Sequence, residues 1–498
     1  MKNIFIILTL IFILGSCNEP SVTQAIKYFP KGLDPSENFG VDELMIYSQI
    51  YEPLVTIDED NSTVHPHLVK YWKISENNKE YTFYLRENIV FHDGSTLHTD
   101  DVKSSFDWFN LKNPKSSLFD LIEEITILDS MSFKINLKQS NSTFLYELTS
   151  PIGFVIISKK AIENQANNLS FHPTGTGPYK ISSFDEGIKV ELKLFDLYWG
   201  KGESKIKSIN FKYYSDKFNR EKSILTNDVD ILYMVSGLSI DRLKWQGKVD
   251  YLVQKPVSVF YLGFNNQNKV VDNLYLRQAV LKAINIPRLV LNVNRGNAIV
   301  AKGPLPPVYL DYNGIFQESF NIREARILLA KAGYPNGLKL KLYFPKVGFV
   351  RETIVEMIKS DLAKIGISLE VTMFDTWEEH INAVMSDSAQ LFIDGGKSSV
   401  IGDAESFLRS FFHSKSEFNT LHYQNARVDA WLDQARLESD PERRQELYKK
   451  ITEQILEDTP AVFLYHVKPH FAYNREKIKT LPVNPYGIIQ YHKIELNN

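Results

Sequence analysis

Cysteine is almost missing from this chain. Its 498 residues contain one, Cys17, so no disulfide can form within it and stability must come from apolar cores. An excess of charge is missing too: the formal net charge is −3 and the isoelectric point is near 6.4, which argues against a nucleic-acid partner or a polybasic membrane surface. Beyond Leu14 no apolar run reaches the length needed to span a bilayer. Enzyme motifs are absent as well. There is no HExxH, no paired CxxC and no G-x-S-x-G elbow, and Gly395-Gly396-Lys397-Ser398 lacks the upstream glycine of a phosphate loop because Leu391 stands there. His466 and His470 are four residues apart, but Pro469 between them argues against a helical metal pair. These absences predict a protein that is not an enzyme and holds neither metal nor cofactor.

What is present is ordinary in bulk and specific in places. Hydrophobic residues make up 43% and charged residues 23%, so the chain should be globular, and its length calls for two or three structural units. The N-terminus carries Lys2, an apolar stretch from Ile4 to Leu14 too short to cross a bilayer, and then Leu14-Gly15-Ser16-Cys17. This fits the lipobox of bacterial lipoproteins, which predicts residues 1–16 as signal peptide, a lipidated tether at 17–24 and a diacylglycerol on Cys17. Two or more acyl chains hold a protein stably on a membrane where one does not.

The stretch from His65 to Val102 is the most informative. Tyr81 to Leu85 is a β-branched and aromatic run fit for a strand, and Phe91-His92-Asp93-Gly94 is a tight turn. Thr99 stands where an N-cap belongs, with Asp100 and Asp101 in the first turn of a helix reaching about Phe109. Elsewhere the pattern predicts a strand near Ala25 to Phe29, a helix from about Asp42, and an antiparallel pair at Ile122–Leu128 and Ser132–Leu137. Thr174-Gly175-Thr176-Gly177-Pro178-Tyr179 reads as a tight crossing between domains. Further on come an amphipathic helix over Glu356–Gly366, a strand over Ile367–Met373, and two late helices at Val428–Glu438 and Pro441–Leu456, the second capped by Asp440.

The order of these parts resembles the family 5 extracellular solute-binding proteins, the peptide- and nickel-type receptors of ABC importers. Its motif is met at Pro66, Leu68, Trp72, Thr82, Phe83, Leu85, Arg86, Val90, Phe91, His92, Asp93, Gly94, Asp101 and Val102. Leu33-Asp34-Pro35, Tyr51-Glu52-Pro53-Leu54-Val55, the Gly175 segment, Tyr261-Leu262-Gly263-Phe264-Asn265 and Ala325 to Gly337 extend the likeness over nearly the whole mature chain.

The resemblance implies an α/β, two-lobed periplasmic-binding-protein fold (class II, dipeptide/oligopeptide-binding type) with mixed sheets and an extra third domain. Domain I would comprise 18–46, 171–256 and 466–498, domain II 47–170 and domain III 257–465. The implied function is capture of a peptide or peptide-like solute between the lobes and its delivery to an ABC permease and ATPase. The protein would be a monomer, lipid-anchored in the cell envelope. A receptor for a metal chelate, haem, an oligosaccharide or an opine-like compound is the alternative, and a sensory lipoprotein of the same fold another.

The candidate ligand contacts follow from the same alignment. Peptide-binding members hold the ligand's amino group with an Asp a few residues before a "D-P-D-N-F-L"-like segment, here Val400 to Leu408. Aligning on Asp403 puts Val400 in the anchor position, with Asp394 as a substitute upstream and Lys397 where Trp is usual. The residue that holds a carboxylate precedes the helix equivalent to Glu352–Ile365, leaving Lys346 and Arg351. Gly40 and Val41 offer backbone groups to an extended ligand, and Phe260 or Tyr261 a stacking face.

Overall fold

The structure, a computed structural model, describes residues 19–497 apart from 38–39, 59–62, 114–118, 120, 152–153, 166–167, 201, 203, 236, 295–296, 310–315, 318–319, 347–348, 387 and 398–402. Cys17 and Val400 therefore lie outside the described residues. Among those residues no helix is long and apolar enough to cross a membrane.

Three sheets organise the chain. A seven-stranded mixed sheet runs in the order Val249–Val253, His470–Asn474, Ile231–Tyr233, Ser21–Ile26, Ser208–Tyr213, Lys189–Leu194, Tyr179–Asp185. A six-stranded mixed sheet runs Ala298–Val300, Ala461–Val467, Ser258–Phe264, Leu391–Lys397, Leu338–Pro345, Ile367–Phe374. The third is four-stranded and antiparallel: Val69–Ile74, Glu80–Leu85, Ser132–Leu137, Ile122–Ile127. In Glu80–Leu85 the buried residues Tyr81, Phe83 and Leu85 alternate with more accessible ones, as a sheet with one face on a core requires.

The apolar cores divide the molecule into two bodies. One core joins the seven-stranded sheet to the smaller domain: Met45, Tyr47, Trp108, Val155, Leu169 and Phe211 belong to it together. The six-stranded lobe has two cores of its own, whose fully buried members all fall between Val259 and Tyr465. The chain passes between the bodies twice, at 254–257 and at 468–469, where Gln254 N donates to Pro469 O at 2.9 Å. This is the two-lobed architecture with a third domain.

Glycine permits the close seam between the seven-stranded sheet and the four-stranded domain. A β-carbon on Gly175 would lie 2.1 Å from Ile50 O, and one on Gly177 would lie 2.5 Å from Gln49 O. The freed space lets Gly177 N donate to Ile50 O at 2.8 Å and Tyr179 N to Gln49 O at 3.0 Å. His92, from the turn 83 residues earlier, closes the seam: its backbone N donates to Gly175 O at 3.0 Å and its Nε2 to Gly177 O at 2.8 Å. Burial holds His92 neutral, pushing it down to about 4, so one ring nitrogen carries the hydrogen that the carbonyl accepts.

Several local expectations shift. The first strand is Ser21–Ile26, not 25–29, because the Asp42 carboxylate captures the backbone N–H groups of Lys27 (3.1 Å) and Tyr28 (2.8 Å) and turns the chain out of the sheet. The cap of helix Thr99–Lys112 is His98, one residue earlier than expected; its backbone N donates to the Asp101 carboxylate at 2.8 Å, while the Thr99 hydroxyl donates to Asp129 O. The helix expected from Glu356 begins two turns earlier and spans Phe349–Ala363. The buried set Arg351, Ile354, Val355, Ile358 and Leu362 explains this, since its helical spacing starts at the arginine. Arg351 is thus a helix residue, not a loop residue.

Candidate functional site

Beside the two crossings lies a cavity of about 240 Å³ with walls from both lobes. Val41, Tyr233, Met234 and Tyr486 come from the seven-stranded side, while Phe260 and Gly395 come from the six-stranded sheet. Met234 reaches the cavity from a left-handed backbone, φ +54°, a conformation that costs a side-chain-bearing residue energy and that recurs at ligand sites.

Strand alternation decides between the two aromatic candidates. Phe260 faces the cavity and stacks on Tyr465, with centroids 5.0 Å apart and planes 10° from parallel. Tyr261 points to the opposite face, among Phe392 and Phe463 in the core of the six-stranded lobe. Phe260 is therefore the ring available for stacking.

Behind Phe260 sits a desolvated cation. The Arg351 guanidinium lies 5.5 Å from the Phe260 centroid and 5.8 Å from that of Trp377, and its Nη1 donates to Ile393 O at 3.2 Å. The residue is 8% exposed, and burial pulls its pKa down, opposed by the charge of Asp394. Asp394 is 4% exposed and is pushed up to about 6, first by burial, against the Gly395 N–H that donates to it at 2.6 Å and the charge of Arg351. No ion pair joins the two among the described residues. His380, fully buried beside Trp377, has no hydrogen-bond partner for either ring nitrogen among the described residues; burial, and then Arg351, push it down to about 4.

The other candidates scatter. Val41 lines the cavity and Gly40 stands exposed one residue before it, capping helix Val41–Tyr47. Lys346 is exposed and paired with Asp375 at 3.3 Å. Lys397 ends its strand opposite Ser258, its side chain outside the described residues. Asp403 is committed to the interior of its own lobe. Its carboxylate accepts from Arg444 Nε (3.0 Å), from Glu405 N (2.9 Å) and from the Tyr448 hydroxyl. Tyr233, Met234, Trp377, His380 and Tyr486 escaped the sequence reading because they arrive from three separate segments without a local motif.

A larger crevice, about 740 Å³, runs between the seven-stranded sheet and the four-stranded domain and includes Glu52, His67, Tyr198, Trp199 and His492. Among the described residues lining it, the deeply buried carboxylate of Glu52 already has its hydrogen-bond partners. Glu52 accepts from Tyr198 (2.8 Å), Trp199 Nε1 (2.8 Å) and Thr176 (2.8 Å), and His67 Nε2 stands 3.0 Å away. Burial opposes its charge, but the attraction of His67 and these hydrogen bonds hold Glu52 below the ordinary carboxylate range. This is a structural joint.

Comparison with known proteins bears on the same architecture. The profile of the bacterial extracellular solute-binding proteins, family 5 middle region, matches residues 63–419. The glutathione-binding protein GsiB of Pectobacterium atrosepticum is 29% identical over 478 residues, covering 93% of this chain and 92% of that protein. The periplasmic binding protein DppA of Helicobacter pylori, solved with the peptide STSA, superposes with a TM-score of 0.83 at 21% identity, covering 96% of this chain and 98% of that one. NikA of Brucella suis, solved with Fe(III)-EDTA, gives a TM-score of 0.86 at 21% identity over 96% of this chain and 100% of that one. The two-lobed fold and a family match across most of its length agree: the chain belongs to family 5 of the bacterial extracellular solute-binding proteins, the ligand-capturing components of ABC importers and not enzymes.

Proposed function

We propose that this protein captures a short peptide or peptide-like solute with an anionic group in the interlobe cavity, and hands it to an ABC permease and ATPase. The observation that carries this reading is Arg351: a cation held almost out of water, stacked behind the apolar ring that faces the cavity, with no ion-paired carboxylate among the described residues. Burying such a charge is costly unless an anion compensates it, and a ligand carboxylate is the compensating group this reading supplies. Phe260, Met234 and Tyr486 would receive an apolar part of the ligand. The glutathione named for GsiB and the peptide named for DppA both carry carboxylates, which supports the same class.

A thermal-shift screen tests the ligand class, using glutathione, di- to pentapeptides, metal chelates and oligosaccharides as probes. A ligand present at 100 times its Kd stabilises by about 2.7 kcal/mol, so micromolar binders register clearly. We expect shifts with glutathione or short peptides. Silence from every peptide beside a shift with a chelate or a sugar would overturn the peptide reading within the importer class.

The N-terminus supports a lipid anchor at Cys17, since the lone cysteine follows the apolar stretch at the lipobox position. Expressed in bacteria, the wild-type chain should partition with membranes and incorporate labelled palmitate. Cys17→Ser should lose the label and leave the membrane fraction; a label unchanged in that variant excludes the anchor.

A further inference from the structure

The two bodies touch a second time, away from the crossings. Ser142 N donates to Arg436 O at 2.9 Å, the Ser142 hydroxyl donates to Glu438 O at 2.7 Å, and Asn78 Nδ2 donates to the Ser439 hydroxyl at 2.7 Å. Ser142 and Asn78 belong to the four-stranded domain, which shares its core with the seven-stranded lobe. Arg436 to Ser439 belong to the six-stranded lobe. A hinge motion at 254–257 and 468–469 must make and break these bonds, because nothing covalent joins the bodies here.

Beneath them lies a carboxylate that forms no ion pair among the described residues. Glu147, on helix Phe144–Glu147, is 6% exposed and accepts a hydrogen bond from Asn141 Nδ2 at 3.3 Å. Across the contact stand Glu405 and Arg409 on helix Glu405–Phe412, and Arg436 on helix Ala426–Leu437. Both arginines are engaged by Glu405, which is fully buried: Arg436 Nε reaches it at 3.0 Å, Arg409 pairs with it too, and Arg409 also holds Asp433 at 3.0 Å. On its own side Glu147 faces Tyr81, whose hydroxyl donates to Asn141 O.

We propose that this contact is a proton-gated clasp for ligand capture: the lobes close over it with Glu147 protonated, and Glu147 releases its proton to water as they part. The inference rests on the reading of the chain as a hinged solute-binding protein and makes no use of the ligand's identity. Burial is the largest influence on Glu147 and Glu405 adds to it, while Arg436 and Arg409 oppose; together they push Glu147 up from an ordinary 4.5 to about 7. The sign follows from linkage. The closed state binds the proton more tightly, so closure is favoured in full below pH 4.5, loses that advantage as pH rises to 7, and is indifferent to pH above about 8. Between pH 5.5 and 8 the ratio of clasped to open molecules should fall about 27-fold.

The test needs no ligand. Spin labels on Glu76→Cys and Glu446→Cys, two exposed positions flanking the contact, are placed in the full chain carrying Cys17→Ser, and their distance distribution is measured from pH 5.5 to 8.5. The short-distance population should shrink with rising pH in the otherwise wild-type chain. Glu147→Gln, a neutral side chain of the same shape, should keep it large at every pH. Ser142→Ala should lower it at every pH while the clasped-to-open ratio keeps the same fold-change between pH 5.5 and 8. A distribution that ignores pH, or a response that survives in Glu147→Gln, overturns the proposal, and either result leaves the ligand reading to its own thermal screen.

Discussion

Replacing Arg351 with Met should weaken capture of a peptide with a free carboxylate about a hundredfold while leaving the same peptide's C-terminal amide nearly unaffected. The magnitude follows from removing one partner of a desolvated charge pair, roughly 3 kcal/mol. Methionine keeps an apolar stem while removing the guanidinium that lies near Phe260 and Trp377, so the change tests charge and hydrogen bonding more than packing. The fold should survive the loss. Asp394, already pushed up to about 6, rises further once the guanidinium is gone and protonates instead of standing as a buried unpaired anion. Isothermal titration of the acid and the amide against both proteins gives the answer, using a peptide that registers in the thermal screen. Equal losses for the two ligands would take Arg351 away from the carboxylate.

Glu52→Ala should lower the melting temperature by about 10 °C. The substitution strands the Tyr198 and Thr176 hydroxyls and the Trp199 indole N–H, each of which now donates to Glu52. Buried donors left without acceptors cost about 1–3 kcal/mol each, and partial access of water through the adjoining crevice brings the total to roughly 4 kcal/mol. At about 2–4 °C per kcal/mol for a unit of this size, that gives the stated fall. The same carboxylate predicts acid sensitivity. Because its pKa is lowered in the fold, its stabilisation is present above the unfolded value of 4.5 and is lost as pH falls through the lower, folded value. Calorimetry of wild type and Glu52→Ala across pH 3–7 checks both points: the difference in melting temperature should narrow on acidification. A difference of under 2 °C at neutral pH would mean the joint does not depend on this residue.

Much of this was legible in one dimension. The run Tyr81–Leu85 announces its strand by β-branched and aromatic residues, Asp440-Pro441 announces a helix start, and Gly175 and Gly177 announce a place where backbones pass closely. These signals are local, set by side-chain shape and by the few backbone conformations each residue tolerates. The helix carrying Arg351 starts earlier than its sequence pattern predicts, at Phe349, for a related reason. An arginine counts as polar in any periodicity scan, and only the packed lobe shows it buried in register with Ile354, Ile358 and Leu362.

The amino-acid sequence by itself determined the family, the strand at Glu80–Leu85, the helix starting at Pro441 and the tight seam at Gly175–Gly177, because each depends on neighbours in the chain or on motifs at unbroken spacing. Tertiary structure alone decided that Phe260 and not Tyr261 faces the cavity, that Asp403 is consumed by Arg444 and Tyr448, and that Glu147 is buried within reach of the charges of Glu405, Arg409 and Arg436. Those outcomes depend on strand register and on partners that folding brings from tens to hundreds of residues away. Burial and charge at such places are properties of the assembled lobes and of no single segment.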